Sequence, residues 1–186
     1  MDNLVRRFRK WRERRRQIKT NKELCQRYPF LIPWHRFTGE LSVDRSDWKH
    51  PRAIHPYDWS YTELDNMPEG WRNRFGIQMC EEIRDALIED DDLERYRVVQ
   101  CKEKYGIWNW YDNGTKIGSR VPMIIDKYSR LSERTCIHCG RPATQITLGW
   151  ISPYCDDCCP EFGAIPIGEY FLEDEKKDDA GTDRSH

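Results

Sequence analysis

The sequence predicts an α+β protein: a small antiparallel β-sheet packed on two amphipathic helices, with a basic N-terminal helix and a C-terminal four-cysteine, zinc-ribbon-like module. Three observations lead there. Helical periodicity recurs in three separated segments. Two strand patterns, the second of them aromatic-rich, follow the second helical segment. Five of the eight cysteines crowd into residues 136–159.

Residues 2–27 read as the first helix. Leu4, Trp11, Ile18 and Cys25 recur every seven residues, Phe8 lies one turn after Leu4, and no Gly or Pro interrupts the segment before Pro29. Residues 28–69 read as irregular. Pro29, Pro33, Pro51, Pro56 and Pro68 preclude a long helix. The aromatics interleaved with them (among them Tyr28, Phe30, Trp34, Trp48, Tyr57 and Trp59) predict an anchored segment rather than disorder. Residues 70–89 read as the second helix, with Phe75, Met79, Ile83 and Ala86/Leu87 on one face.

Residues 96–104 and 107–111 read as two strands turning at Gly106, and Asp112-Asn113-Gly114 as a further turn. Trp108 and Trp110 share one strand face. Their rings suit either a core or base stacking, and the core is the reading adopted. Residues 118–132 read as a third helix, with Val121, Ile124, Ile125, Tyr128 and Leu131 on its apolar face. Residues 173–186 read as a disordered acidic tail. The implied organisation is a basic helix over 1–27, an α+β core over 28–132, a metal module over 133–168 and an acidic tail over 169–186.

The near-neutral composition hides an asymmetry. Residues 1–20 hold nine basic residues (Arg6, Arg7, Arg9, Lys10, Arg12, Arg14, Arg15, Arg16 and Lys19) against two acidic ones, a net charge of +7. Residues 169–186 carry a net charge of −4. A cationic helix is the electrostatic footprint of a polyanion partner. It also suits a solvated helix packed through its Leu4/Trp11/Ile18 stripe, or a membrane surface taking up Phe8 and Trp11. Nucleic acid or a nucleoprotein complex is the partner expected, with no membrane and no small-molecule substrate. No apolar run is long enough to cross a bilayer, and no secretory h-region opens the chain, so a cytoplasmic, reducing location is expected.

The most specific signal is Cys136-x-x-Cys139 followed, fifteen residues on, by Cys155-x-x-Cys158. Each C-x-x-C makes a tight knuckle that presents two thiolates to one ion, and two knuckles close a tetrahedron. A hairpin from Thr144–Leu148 and Trp150–Tyr154 would bring the pairs together, and Gly140 suits the positive φ of a knuckle. The expected cofactor is a structural Zn²⁺. Four protein thiolates leave no open coordination position, so the metal acts as a staple. Cys159 reads as a bystander, His138 as solvent-facing, and Cys25, Cys80 and Cys101 as core thiols.

No catalytic residue is assigned. An alternative is a Mg²⁺-dependent nuclease built on residues 90–104, where Asp90, Asp91 and Asp92 precede a strand bearing Gln100 and Lys102. A second alternative is a zinc-stapled protein–protein adaptor.

Gly70-Trp71 opening a helix, Lys102-Glu103-Lys104-Tyr105-Gly106 ending a strand, Ile107–Tyr111 as the next strand and the Cys136–Cys158 pattern around Gly149-Trp150 together resemble an uncharacterised family. That family is encoded in phages, prophages and gut-bacterial genomes. The resemblance covers roughly residues 20–160, with Asn109 standing where the family usually has Arg. It implies a mobile-element protein that binds host machinery, such as an anti-defence protein of the anti-CRISPR type that inhibits a nucleic-acid-guided nuclease.

Overall fold

Residue 28 is where the long first helix stops, because Pro29 cannot continue it. The computed structural model describes residues 2–34, 57–161 and 163–172. Helix α1 spans Asp2–Arg27, and a 3₁₀ turn over Pro29–Leu31 follows. The Phe37 and Trp48 part of the aromatic segment, and the acidic tail over 173–186, lie outside the described residues.

The chain divides into two compact units. The first comprises Met1–Asn66, Cys80–Cys101 and Trp110–Pro122, and the second Met67–Met79, Lys102–Asn109 and Met123–His186. The units therefore alternate along the chain, whereas the sequence reading divides it in order.

In the first unit Tyr28, Phe30 and Leu31 are fully buried. Phe30 meets Tyr96 edge-on at 5.8 Å and Trp110 at 6.2 Å between ring centroids. The ring polarity is satisfied internally: Trp110 Nε1 donates to Tyr96 Oη at 2.9 Å, and Tyr96 donates to Asp112 at 2.8 Å. Ile83, Ala86 and Leu87 of α3 (Ile77–Glu89), Val98 of strand β1 (Val98–Lys104) and the thiols of Cys25, Cys80 and Cys101 fill the same core.

Helix α3 ends in a Schellman motif. Asp92 N donates to Leu87 O and Asp91 N to Ile88 O, with Asp91 in the left-handed region at φ 49°. Lys116 Nζ caps the carbonyls of Asp90 and Asp91, at 2.5 and 2.9 Å. Arg95 grips the buried Asp92 carboxylate through two nitrogens, at 2.6 and 2.5 Å. That charge-assisted fork holds the Asp92 carboxyl below its ordinary range.

In the second unit, the short α2 (Glu69–Trp71) runs into a π turn over Arg72–Gly76 before α3 begins. The predicted helix over 70–89 is thus interrupted by a wider turn. Trp71 is fully buried and its Nε1 donates to Thr135 O at 2.8 Å. Phe75 stacks on Tyr128 of α4 (Val121–Glu133) at 5.4 Å. Strand β1 turns into β2 (Ile107–Asp112) through Tyr105 and Gly106, both at positive φ (55° and 76°). Two left-handed residues in a two-residue loop are what a type I′ hairpin requires. The outer edge of β2 is closed by hydroxyls of α4: Trp108 N donates to Ser132 Oγ, and Ser129 Oγ to Trp108 O, both at 2.8 Å.

Three short strands complete the unit in the order β4-β3-β5: β3 (Gln145–Thr147), β4 (Ser152–Tyr154) and β5 (Ala164–Pro166). The predicted hairpin is β3–β4. β5, antiparallel to β3, is an addition that its short, Gly- and Pro-flanked sequence did not announce.

Trp108 and Trp110 are 1% and 7% exposed, which makes both rings core and leaves neither face open to a base.

Candidate metal centre

The four cysteines of the two C-x-x-C pairs come together in the second unit. One thiol sulfur from each of Cys136, Cys139, Cys155 and Cys158 lies within 4.8 Å of every other. The Cys139 and Cys155 sulfurs are 3.6 Å apart. A tetrahedral ion with metal–sulfur bonds near 2.3 Å needs sulfur–sulfur edges of about 3.8 Å, so the four thiols fit such an ion with small adjustments. All-sulfur tetrahedral donor sets suit soft or borderline ions such as zinc or iron.

Local backbone chemistry builds each knuckle. Gly140, at φ 77°, closes the first, and its N–H donates to Cys136 O at 2.9 Å. Cys136 N donates to Arg141 O at 2.7 Å and Ile137 N to Pro153 O at 2.9 Å, which pins the first knuckle to β4. In the second knuckle, Cys158 N and Cys159 N both donate to Cys155 O at 3.0 Å. Asp156 accepts from Thr144 Oγ1 at 2.7 Å and from Gln145 Nε2 at 3.3 Å, tying this knuckle to the start of β3.

The helix start at Gly70 forms the socket for the first knuckle. Gly70 N donates to Ile137 O at 3.0 Å. A β-carbon on Gly70 would stand 2.7 Å from both Gly140 N and Ile137 O, and nearer still to Cys136 O. Backbone therefore lies directly on backbone, which only glycine permits. Trp71, next along, fastens the same junction through its bond to Thr135.

Arg141 links the two knuckles. Its Nε donates to Cys139 Sγ at 3.4 Å, and its Nη2 pairs with Asp157 at 2.7 Å. The guanidinium hydrogen bond holds the Cys139 thiol down to about 6. Burial, and then hydrogen bonds to Cys139 and Cys155, push Cys158 up to about 12. One thiolate is thus ready at neutral pH, while another needs the ion to displace its proton.

Sequence reasoning assembled the ligand set, yet it missed Arg141, Asp157 and the fit of Gly70. The signal for the first two was present: opposite charges beside facing cysteine pairs. His138 is exposed as expected, but its Nδ1 lies 3.8 Å from Cys158 Sγ. Cys159 is half-buried and lies outside the four-thiol cluster.

The basic side chains lie elsewhere, in the first unit. Arg6, Arg7, Arg9, Lys10, Arg12, Arg14, Arg15, Arg16 and Lys19 are all exposed. Among the described residues, acidic partners reach three of them: Glu13 for Arg9 at 3.8 Å, Asp58 for Arg14 at 3.2 Å and Glu23 for Lys19 at 4.0 Å. Val5, Phe8 and Trp11 are 67%, 62% and 51% exposed, so the apolar stripe is covered only towards its C-terminal end. There Asn21 donates to Trp59 O at 2.9 Å and Cys25 is buried beside Tyr57. Packing of the whole helix through Trp11 is accordingly not what the structure has.

Among the described residues, the cysteine cluster is the one convergence of three or more metal-ligating groups. No such group includes Asp90, Asp91 or Asp92. No helix among the described residues is long and apolar enough to cross a membrane. Compared with family models, curated proteins and solved structures, the chain matches none.

Proposed function

We propose that the chain is a non-catalytic, zinc-stabilised binding protein whose α1 engages the phosphate backbone of a nucleic acid, free or within a nucleoprotein complex. The observation that carries this reading is α1 itself. Over residues 5–17 it is exposed on every face while carrying eight of the nine basic residues. A mostly polar helix exposed on every face bridges elements through solvent, is held by its own ion pairs, or is unstable unless something covers it. Among the described residues, acidic partners reach three of the nine cations.

A phosphate backbone matches a cationic rod without requiring a shaped pocket, and the exposed Phe8 and Trp11 add stacking surface. The closed four-cysteine site takes zinc in this reading, as a staple rather than a reactive centre. The resemblance to mobile-element proteins extends the proposal to inhibition of a host defence nuclease, such as a CRISPR effector, by occupancy of its nucleic-acid path.

The test is charge reversal of Arg12, Arg15 and Arg16, which leaves the Arg14–Asp58 pair intact. We expect the mobility shift of a labelled DNA or RNA duplex to be lost at about 0.15 M salt, and the dependence of log affinity on log salt to flatten. Unchanged affinity would remove α1 from the interface. No shift by the native chain with any nucleic acid would favour the protein–protein adaptor instead.

A further inference from the structure

In the second unit two tight turns abut, and each carries an exposed aromatic ring. Gly106 of the β1–β2 turn packs against Ile151: a β-carbon placed there would lie 3.3 Å from Ile151 O and from Pro153 Cδ. Tyr105, just before Gly106, is 68% exposed, and Trp150, just before Ile151, is 77% exposed. With consecutive Cα atoms 3.8 Å apart, the Cα atoms of the two ring-bearing residues stand within about 15 Å of each other. Four or five stacked nucleotides cover that distance at about 3.4 Å each.

Both turns are built rather than loose. Thr147 Oγ1 donates to Trp150 O and accepts from Ser152 N at 3.1 Å, and Leu148 N donates to Gly163 O at 3.0 Å. Glu103 turns its carboxylate to Gly106 N at 2.7 Å. Tyr105 sits in the left-handed region, where a side chain costs about 1 kcal/mol relative to glycine. A large ring held out in solvent at a strained position points to use of that ring.

Lysines lie beside the Tyr105 ring. Lys104 Nζ lies 5.3 Å from the centre of the Tyr105 ring, and Lys102 and Lys104 are both exposed on β1. The intervening Glu103 is drawn into the turn.

We infer that Tyr105 and Trp150 form a stacking platform for unpaired bases, with Lys104 meeting the flanking phosphate, so that the preferred ligand is single-stranded nucleic acid. Aromatic faces beside lysines are the means by which proteins hold single strands without reading sequence. Paired bases in a duplex cannot offer their faces to these rings. The inference deepens the nucleic-acid reading of α1 and rests on it for the ligand class, but it uses different residues and predicts a different selectivity.

The experiment is fluorescence anisotropy with the full chain, on a labelled oligothymidine and on a duplex of equal length. The variant is Tyr105→Asn with Trp150→Ala. Asparagine keeps the type I′ turn while removing the ring. Thiol-bound metal content, measured in parallel, checks the fold. We expect single-strand affinity to fall about tenfold or more with duplex affinity unchanged. Trp150→Phe should retain most of the single-strand affinity. The α1 charge reversal should weaken both ligands alike. Equal losses on both ligands with Tyr105→Asn/Trp150→Ala, or no loss on either, overturn the platform and leave α1 standing. Failure of the native chain to bind any nucleic acid overturns both.

Discussion

Gly70 shows how much one missing methyl group decides. Alanine is the better helix former by about 1 kcal/mol, so propensity alone would favour Gly70→Ala. The added carbon, however, would meet three backbone atoms of the first knuckle, two of them at 2.7 Å. Backbone cannot swing aside as a side-chain end can, and overpacking costs typically 1–3 kcal/mol. The steric cost exceeds the propensity gain. Gly70→Ala is expected to destabilise the chain by about 2 kcal/mol in denaturant titration and to weaken metal retention against a competing chelator. A stability equal to or above that of the native chain would show that the knuckle does not rest on this residue. The sequence offered Gly70 only as the start of a helix. Its fit against residues 136–140 is a contact across more than sixty positions, which periodicity cannot register. The candidate ligands Cys136, Cys139, Cys155 and Cys158 were legible for the opposite reason, since their spacing is local and matches the geometry an ion requires.

Helix and strand existence was readable where a period ran long enough, and boundaries were set by end chemistry. α1 has the extent its composition predicts because Pro29 ends it. The strand expected from residue 96 begins at Val98, since Tyr96 turns inward to Trp110 and Asp112. The helix expected from 118 begins at Val121, after Gly118 at φ 86° and Ser119, whose hydroxyl accepts from Val121 N. The C-terminal end of α3 carries the clearest element-scale prediction. Its Schellman motif places Asp91 at φ 49°, a position glycine fills without a Cβ penalty. Asp91→Gly relieves roughly 1 kcal/mol of local strain and returns part of it as unfolded-chain entropy. The expected net effect is about 0.5 kcal/mol of added stability, read as a higher denaturant midpoint with an unchanged slope. A lower midpoint would mean that the Asp91 carboxylate itself holds the turn. Asp92→Asn should act in the opposite direction, because the Arg95 fork favours the ionised form. Since the Asp92 carboxyl is held down, its contribution is present above the ordinary carboxylate range and is lost as pH falls through the lowered value.

At the scale of the whole molecule, an ion at the four-cysteine cluster would share with the hydrophobic cores the work of holding the chain together. The three strands around the knuckles have three residues each, too few to supply a core of their own. Of their residues, Ile146, Ser152 and Pro153 are buried. Binding energy from an ion at the four thiols would therefore stand in for missing apolar burial, and a ligand that binds only the folded form stabilises it by about 2.7 kcal/mol at a hundred times its dissociation constant. The hydrophobic cores have no such need, with Tyr28, Phe30, Leu31, Ile83, Leu87 and Tyr96 of the first unit and Trp71, Met79 and Trp108 of the second all buried. Chelation is expected to act unevenly. Amide exchange should accelerate first at Cys136–Tyr154 and at Gly70, whose N–H is held by Ile137 O, while the Ile83–Leu87 amides of α3 stay protected. Acidification should mimic chelation, because protons compete with the ion for the thiolates. Cys158, pushed up to about 12 without metal, must release its proton on binding, so affinity falls as pH is lowered from about 8 to about 6. Uniform loss of protection across both units would show that the ion holds the entire chain, and no loss anywhere would show that the knuckles fold without it.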